Sequence, residues 1–278
     1  LVHNEPGQAA IRWDELLGIG LDEAIRASHV LHAWAVNNAG RYDRSILDMP
    51  HLQEIYDKVA PRSEIETAAE LLISDIAALR QARVIADEQA PIPSRLERYA
   101  FNPLKARPLV DLGSGGIWAP QSMLISRAFL GSNLYYRGLD RWGKAFADGL
   151  GDRTQRYVGR QLALLGGITL YPEIEYAKSQ HSVDWLWVSD AAVILVECKA
   201  ARLTLDAQAG GDSLDTVMQR YLGAARKQID KTARLIQEHH GAFDRIPKDR
   251  PVVGVVDQAR EVDRALALGF PGGHVEGL

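Results

Sequence analysis

Three charged residues lie within a stretch of the sequence that is otherwise typical of buried β-structure. Residues 183–200 read VDWLWVSDAAVILVECKA, in which Asp184, Glu197 and Lys199 accompany two runs of strand-forming residues. Charged groups are costly inside a sheet unless they are paired or bound to an ion. Two carboxylates and an ammonium group in such a place have the composition of a site that holds a divalent cation and acts on a phosphate ester.

The spacing of these residues predicts that all three lie on one face of a β-hairpin. If Asp190 and Ala191 form a two-residue turn, the residue numbers of every facing pair sum to 381. Asp184 then faces Glu197 with the two Cβ atoms roughly 5 Å apart, and Lys199 projects from the same face. The residues predicted to pack as core on the opposite face are Trp185, Trp187, Val196 and Cys198.

Two interpretations of the three charges follow from this register. Two carboxylates at such a distance raise each other's pKa unless a cation lies between them, and hard cations such as Mg²⁺ prefer oxygen ligands. A lysine beside the ion can orient or deprotonate a water and stabilise charge on a phosphate. The alternative is a structural ion pair at the end of a sheet. Because all three residues share one face at one strand end, we favour the metal site.

The arrangement resembles the PD-(D/E)xK nuclease superfamily, whose restriction-endonuclease-like core runs α-β-β-β-α-β. In that family an Asp begins the second strand and a Glu-x-Lys ends the third, and the matching residues here are Asp184 and Glu197-Cys198-Lys199. The resemblance covers roughly residues 150–256. It implies an endo- or exonuclease that hydrolyses phosphodiester bonds in DNA or, less often, RNA. Asp184 and Glu197 would hold Mg²⁺ (or Mn²⁺), and Lys199 would position the attacking water.

Many members of this superfamily also carry a glutamate on the first helix, which contributes to the metal site. The corresponding catalytic candidate here is Gln155 in RTQRYVGRQL, which shares a helical stripe with Val158 and Leu162 and is predicted to face the sheet. An amide is a weaker Mg²⁺ ligand than a carboxylate, which argues against a second metal ion. Gln155 is either a natural variation that a working site tolerates or an engineered change that weakens the enzyme.

Two glutamates in YPEIEY, Glu173 and Glu175, are predicted to alternate onto one face of the first strand. We favour Glu175 over Glu173 as a further metal ligand. The alternative is that both are solvated charges at the edge of the sheet.

Substrate-binding candidates lie on the two predicted helices. The resemblance implies that a Gln or Lys on the long helix at 213–240, here Gln228 or Lys227, contacts the substrate phosphate or the active-site lysine. Arg156 on the first helix is a candidate contact for the DNA backbone. The alternative for all three is an ordinary solvated helix surface. Cys198 is predicted to be a small buried residue rather than a nucleophile.

The order of the predicted elements indicates an α/β (α+β) protein. Residues 152–167 predict a helix, and residues 168–177 with the hairpin predict three strands. The long amphipathic helix follows, then a buried-type strand at 250–256 and a last helix at 260–270. This α-β-β-β-α-β order predicts a mixed central sheet flanked by helices, as in the restriction-endonuclease-like core.

The sequence before this core predicts two further segments. Residues 1–95 have helical periodicity, with a capping box formed by Ser63 and Glu66, and predict a helical accessory domain. Residues 96–147 contain two short strand-like runs about GSGG at 113–116. Because no Lys-Ser/Thr follows the glycines, we favour a hairpin turn over a phosphate-binding loop. Residues 148–278 form the third segment, the nuclease-like domain.

Composition excludes few functions. Of 278 residues, 46% are hydrophobic and 24% charged, and the net charge of −4 gives no overall attraction to nucleic acid, so any basic surface is local. No apolar run has the roughly 20 residues needed to span a bilayer, so no membrane association is expected. The single cysteine, Cys198, fits a reducing, cytoplasmic location.

These observations lead to a first hypothesis, a metal-dependent nuclease whose substrate is DNA rather than RNA. The alternative is a catalytically weak or inactive nuclease-fold module used for nucleic-acid binding or protein assembly, which Gln155 and the near-neutral charge favour. A third hypothesis is an unrelated α/β enzyme that uses the carboxylates on another substrate. The N-terminal helical domain could bind a protein partner or mediate self-association.

Overall fold

The computed structural model describes residues 10–89, 91, 93–199 and 213–258. Within these ranges the chain forms two compact units, and the division between them falls between Phe146 and Ala147. No helix in the described part of the chain is long and apolar enough to cross a membrane. The division lies next to the domain boundary predicted at residue 148, whereas the segment 96–147 belongs to the same unit as the residues before it.

The N-terminal unit combines helices with a small sheet. Its helices are α1 (Trp13–Leu17), α2 (Leu21–Asn37), α3 (Gln53–Lys58), α4 (Arg62–Leu72), α5 (Ile76–Gln89), α6 (Met123–Arg127) and the first part of α7 (Gly131–Ala163). Short 3₁₀ turns lie at Arg44–Asp48, Pro50–Leu52, Ser94–Tyr99, Pro103–Lys105 and Gly113–Gly115. Its strands are β1 (Arg41–Tyr42), β2 (Ile73–Asp75), β3 (Leu109–Asp111) and β4 (Ile117–Trp118), in the order β1-β4-β3-β2. α7 is interrupted at Gly143, which has φ 62°.

The N-terminal region is therefore less purely helical than the sequence predicts. The strand β2 separates α4 from α5 and pairs in parallel with β3, a long-range contact that local periodicity does not reveal. The predicted capping box is wrong: α4 begins at Arg62, so Ser63 lies inside the helix, and the N-cap residue Pro61 offers no side-chain cap. Glu66 instead accepts a hydrogen bond from Arg62 at 2.8 Å.

The glycine-rich run at 113–116 is a turn between antiparallel strands, as predicted. β3 and β4 pair across it, and Gly113 and Gly116 adopt φ values of 63° and 81° that favour glycine. The Asp111 carboxylate accepts a hydrogen bond from the Gly113 main chain at 2.8 Å. This run serves to reverse the chain.

The C-terminal unit contains the mixed sheet that the sequence predicts. After the second part of α7 come the strands β5 (Thr169–Pro172), β6 (Glu175–Ala177), β7 (Gln180–His181), β8 (Trp185–Val188) and β9 (Val193–Lys199), the helix α8 (Ser213–Gln237), a 3₁₀ turn (Gly241–Phe243) and the strand β10 (Val252–Gln258). The sheet order is β10-β9-β8-β5, with β10 parallel to β9 and the other pairs antiparallel. The prediction of an α/β protein with a mixed sheet is confirmed.

One predicted strand is in fact two. The run at 168–177 divides into β5, which joins the main sheet, and β6, which forms a separate hairpin with β7. Glu173 lies in the break between them and Glu175 begins β6, so the predicted alternation of the two glutamates on one strand is wrong. Pro172 lacks a main-chain donor and ends β5 at this break.

The hairpin register predicted from the turn is confirmed. β8 and β9 pair as Trp185↔Val196, Leu186↔Leu195, Trp187↔Ile194 and Val188↔Val193. Ser189 donates its main-chain N–H to the Ala192 carbonyl at 3.0 Å, which leaves Asp190 and Ala191 as the two turn residues. A single short connection thereby fixes which side chains share a face.

The two faces of the sheet pack differently. Leu186, Leu195 and their neighbours form a buried core with Ile236 of α8. On the opposite face, Trp185 packs against α7, where its indole N–H donates to the Gln155 carbonyl at 2.8 Å. The strand predicted to be buried at 250–256 is β10, the outermost strand of the sheet among the described residues, and Val253 and Val255 on it are 48% and 42% exposed. The last helix, predicted at 260–270, lies outside the described residues.

The contact between α7 and Trp185 leads to a stability prediction. A Cβ placed on Gly159 would lie 2.1 Å from the Trp185 ring, so Gly159→Ala is expected to lower the free energy of unfolding by about 1–3 kcal/mol. Gly151 lies on the same helix with nothing within 4 Å of an added Cβ. Gly151→Ala is therefore the matched control, expected to stabilise by up to about 1 kcal/mol. Urea unfolding measures both, and equal effects of the two substitutions would contradict the packing described.

Candidate active site

Asp184 lies at one end of the sheet, immediately before β8. Extending the hairpin register by one residue beyond Trp185↔Val196 places Asp184 opposite Glu197, as the sequence predicts. Its carboxylate accepts a hydrogen bond from the Cys198 main-chain N–H at 2.6 Å. Asp184 is thus fixed to the strand β9 by its own side chain.

Glu197 and Lys199 form an ion pair on β9. The Lys199 ammonium donates to the Glu197 carboxylate at 2.6 Å, and the Glu197 side chain is only 7% exposed against 27% for Lys199. Their alternation on β9 places both on the face that Asp184 shares. The structure therefore brings together the three residues that the sequence singles out.

Both carboxyl groups are held in an environment that disfavours their charge. Burial raises the pKa of Asp184, although the Cys198 N–H and Lys199 oppose the rise. Burial also raises the pKa of Glu197, Asp184 adds to the rise, and Lys199 opposes it. The Lys199 ammonium group thus stabilises the charge of both carboxylates, half-buried Asp184 and buried Glu197. When all three are ionised, one negative charge remains in excess, and a bound cation would neutralise it.

One further acid, Glu173, extends this site, whereas Asp257 lies at the same end of the sheet on the opposite face, beside Cys198. The last β5–β8 pair is Pro172↔Trp185, so Glu173 follows beside Asp184, and β10 pairs Asp257 with Cys198. Burial raises the pKa of Glu173, with Asp184 adding to it and His181 opposing it, and burial raises the pKa of Asp257.

The four acids share an electrostatic property that sets them apart. Within the described ranges, the carboxyl groups whose pKa lies above its ordinary value are Glu173, Asp184, Glu197 and Asp257, one from each strand end of the main sheet. Glu173, Asp184 and Glu197 share one face at this sheet end, whereas Asp257 lies on the other face with Cys198. Perturbed acids grouped in this way are characteristic of functional sites.

Sequence reasoning placed these flanking acids poorly. The sequence favours Glu175 over Glu173 and does not indicate Asp257. The break after Pro172 was the signal for Glu173, and an acid directly after the valine run of β10 was the signal for Asp257. Both signals depend on knowing which strands are neighbours.

Glu175 lies away from these acids, at the start of the β6–β7 hairpin. Its carboxylate accepts a hydrogen bond from the Ser179 main chain at 3.0 Å, so it stabilises the turn of that hairpin. Ser179 has φ 55°, a left-handed conformation that such a bond helps to hold. The structure thus gives Glu175 a turn-stabilising role and places Glu173 nearer Asp184.

Gln155 contacts the β8–β9 hairpin through its main-chain carbonyl. Its carbonyl accepts the Trp185 indole N–H, and Trp185 lies on the opposite face of β8 from Asp184. Arg156 is exposed on α7, and Lys227 is exposed on α8. The structure gives Gln155, Arg156 and Lys227 no described contact with Asp184, Glu197 or Lys199.

Gln228 contacts the protein main chain. Its side-chain amide donates to the His181 carbonyl at 2.5 Å and to the Ser182 carbonyl at 2.8 Å. These carbonyls precede Asp184 by three and two residues. Gln228 therefore contacts the segment that leads into the site, a role that helical periodicity alone does not indicate.

Cys198 is a poor nucleophile in this setting. Burial raises the pKa of its thiol, and the neighbouring acids Asp184, Asp257 and Glu197 raise it further. The thiol is half-buried and belongs to no disulfide. Because the thiolate is the reactive form, these surroundings favour the structural role predicted for Cys198.

The donor set fits a magnesium or manganese ion held by few protein ligands. No three His, Cys, Asp or Glu side chains in the described part of the chain are grouped so as to hold a metal ion together. Mg²⁺ is nevertheless commonly held by one or two carboxylates, with waters and substrate phosphates completing its coordination. The facing carboxylates of Asp184 and Glu197, with their excess negative charge, suit that mode of binding.

Comparisons with known proteins give no match for this chain. No protein-family model matches it, and no curated protein and no solved structure matches it significantly. The functional argument therefore depends on the chain's own geometry.

Proposed function

We propose that the C-terminal unit is a metal-dependent nuclease that hydrolyses phosphodiester bonds, in DNA rather than RNA. The observation that carries the proposal is the pair of facing acids at one sheet end, Asp184 and Glu197, whose pKa values are both raised, with Lys199 beside Glu197 at 2.6 Å. Support also comes from the order α7-β5-β8-β9-α8-β10 and from the placement of Asp184 before the second of these strands. This is the arrangement that resembles the PD-(D/E)xK superfamily.

Asp184 and Glu197 are the residues that would hold Mg²⁺ or Mn²⁺. When bound, such an ion polarises a phosphate oxygen and lowers the pKa of a water molecule to yield a nucleophile near neutral pH. Asp184 keeps one carboxylate oxygen on the Cys198 N–H, which fixes the direction of the carboxylate. Glu197 is almost fully buried, so its carboxylate has little freedom to turn away.

Lys199 supplies the positive charge on the substrate side. Its side chain is 27% exposed, whereas the Glu197 side chain to which it donates is 7% exposed, so the ammonium group is the more accessible to a substrate. It would position the attacking water and stabilise the negative charge that develops on the phosphate. A long flexible lysine can change hydrogen-bond partners with little movement of the main chain.

The proposal is tested by incubating the purified chain with single- and double-stranded DNA and RNA, with Mg²⁺, Mn²⁺ or EDTA. We expect cleavage of DNA that requires the divalent ion. Gln155→Glu is assayed in parallel, since it introduces the acid that the resembling family carries on its first helix. Failure of both proteins to cleave any substrate would refute the nuclease proposal.

A second candidate function has one observation in its favour. Lys199 pairs with Glu197 at 2.6 Å, and such an ion pair also occurs in sites that serve structure or binding. The C-terminal unit would then be a catalytically weak or inactive module for nucleic-acid binding or protein assembly. DNA binding that weakens with salt, ignores Mg²⁺ and survives Lys199→Ala would favour this function. A cytoplasmic location and a protein partner for the N-terminal unit belong to either candidate.

A further inference from the structure

The residues that precede Asp184 are hydrogen-bonded to side chains of α8. Besides the two hydrogen bonds from Gln228, the Thr232 hydroxyl accepts the main-chain N–H of Val183 at 3.1 Å. One turn of α8 thereby bonds the main chain of three successive residues, His181, Ser182 and Val183. We name Gln228 and Thr232 together the α8 clamp.

The clamp is buried where Thr232 bonds the chain. Thr232 and Ser182 are each 1% exposed, and Val183 is fully buried. An N–H or carbonyl in such a place must have a hydrogen-bond partner, because leaving it without one costs most of its hydration energy. The Val183 N–H donates to a side chain of α8, so α8 fixes the position of the main chain immediately before β8.

The carboxylate of Asp184 is bonded to β9, but its main chain depends on the preceding segment for its position. The β8–β9 ladder ends at Trp185↔Val196, so the pairing of the strands does not fix the main chain of Asp184. On the other side, Ser182 exchanges hydrogen bonds with Ile174: its N–H donates to the Ile174 carbonyl at 2.9 Å, and its hydroxyl accepts the Ile174 N–H at 2.8 Å. The chain before Asp184 is thus held from both sides.

We propose that Gln228 and Thr232 are positioning residues, which hold Asp184 opposite Glu197 by fixing the three main-chain units before it. This proposal rests on the proposed metal-dependent function and assigns to Gln228 a role other than the predicted contact with substrate. The clamp acts through Asp184 and touches neither metal nor substrate. Partners that orient a metal ligand in this way typically change metal affinity by about 10- to 100-fold.

The test follows the Cys198 amide and Mn²⁺ binding in the full chain. The Cys198 N–H donates to Asp184, so in the metal-free protein its proton resonance reports the position of that carboxylate. Thr232→Val removes the acceptor while keeping the shape, Thr232→Ser keeps the hydroxyl, and Gln228→Met removes both donors. Arg226→Ala, at an exposed position on the same helix, is the surface control.

We expect Thr232→Val and Gln228→Met to move the Cys198 amide proton upfield and to weaken Mn²⁺ binding about tenfold or more. Thr232→Ser should restore both readouts, and Arg226→Ala should change neither. If Thr232→Val does not fold, Gln228→Met decides alone, because Gln228 is only half-buried.

The clamp is refuted if the Cys198 amide keeps its wild-type resonance in the folded variants that lack the clamp hydrogen bonds. A wild-type protein that binds no Mn²⁺ would instead refute the proposed function, and the amide resonance would still decide the clamp. The two failures are therefore distinguishable.

Discussion

Replacing Asp184 with asparagine is expected to lower metal-dependent cleavage by about 10³-fold or more and, at the same time, to stabilise the metal-free protein. The amide oxygen of asparagine can still accept the Cys198 N–H, so the local structure is kept while the negative charge is removed. That charge is unfavourable in the folded state, since burial raises the pKa of Asp184. We therefore expect the free energy of unfolding of Asp184→Asn to exceed that of the wild type at neutral pH.

The direction of the pKa shift of Asp184 determines how the stability gain of Asp184→Asn depends on pH. Because the folded pKa of Asp184 lies above its ordinary value of 3.8, the folded wild type binds more protons in the interval between the two values. Wild-type stability from this group therefore falls as pH rises through that interval, whereas Asp184→Asn shows no such loss. The variant should match wild type below about pH 3.8, and its advantage should grow above that pH until it becomes constant beyond the folded pKa of Asp184.

Thermal unfolding at several pH values, with and without Mg²⁺, measures the prediction for Asp184. Added Mg²⁺ should stabilise the wild type and have little effect on Asp184→Asn, since the ion binds the ionised carboxylates. Asp190→Asn is the matched control, because Asp190 lies in the turn of the same hairpin and its side chain is fully exposed. An Asp184→Asn protein that cleaves at the wild-type rate, or that is less stable at neutral pH, would contradict the account.

Replacing Lys199 with methionine is expected to have the opposite effect on stability. The methionine keeps most of the side-chain volume but leaves Asp184 and Glu197 without their ammonium partner. Loss of a hydrogen-bond partner from a buried charged group costs about 2 kcal/mol, so the metal-free variant should be less stable by that amount. Cleavage should fall by about 10²- to 10³-fold, since the charge that stabilises the reacting phosphate is lost.

Mn²⁺ binding by Lys199→Met distinguishes loss of a catalytic charge from loss of the folded structure. Lys199 is not a metal ligand in the proposed site, so Lys199→Met should bind Mn²⁺ at least as tightly as wild type by calorimetry. Lys178→Met, at an exposed lysine of the same unit, serves as the control. Unchanged cleavage in Lys199→Met, or loss of Mn²⁺ binding in a folded variant, would show that Lys199 has another role.

The hairpin that carries the site was predictable because its determinants are local. A two-residue turn at Asp190 and Ala191 fixes the register, and the alternation of side chains then places Asp184, Glu197 and Lys199 on one face. No contact outside residues 184–199 was needed for that inference. The same reasoning predicted Trp185 on the opposite face, where it packs against α7.

The flanking acids could not be placed in this way, because they depend on the pairing of distant strands. Glu173 lies beside Asp184 only because β5 ends at Pro172 and pairs with β8. Asp257 lies beside Cys198 only because β10 adds in parallel to β9, across a connection that includes α8. The spacing of residues along the sequence does not reveal the register of β5 with β8 or of β10 with β9.

The helix residues show the same limit. Gln228 borders the buried face of α8, as its spacing indicates, but its partners are carbonyls 46 and 47 residues earlier in the chain. Gln155 shares a sheet-facing stripe, yet the structure brings its carbonyl rather than its amide to the hairpin. Helical periodicity indicates which side of a helix is buried, whereas the partner of each polar side chain depends on tertiary contacts.

The measurement that most directly tests the central claim is anomalous diffraction from a crystal of the chain soaked in Mn²⁺. The account predicts a manganese peak between Asp184 and Glu197, about 2.1 Å from a carboxylate oxygen of each. The Asp184 carboxylate should still accept the Cys198 N–H. A crystal without manganese at this position, in which Lys199 remains the partner of Glu197, would contradict the claim that these acids form a metal site.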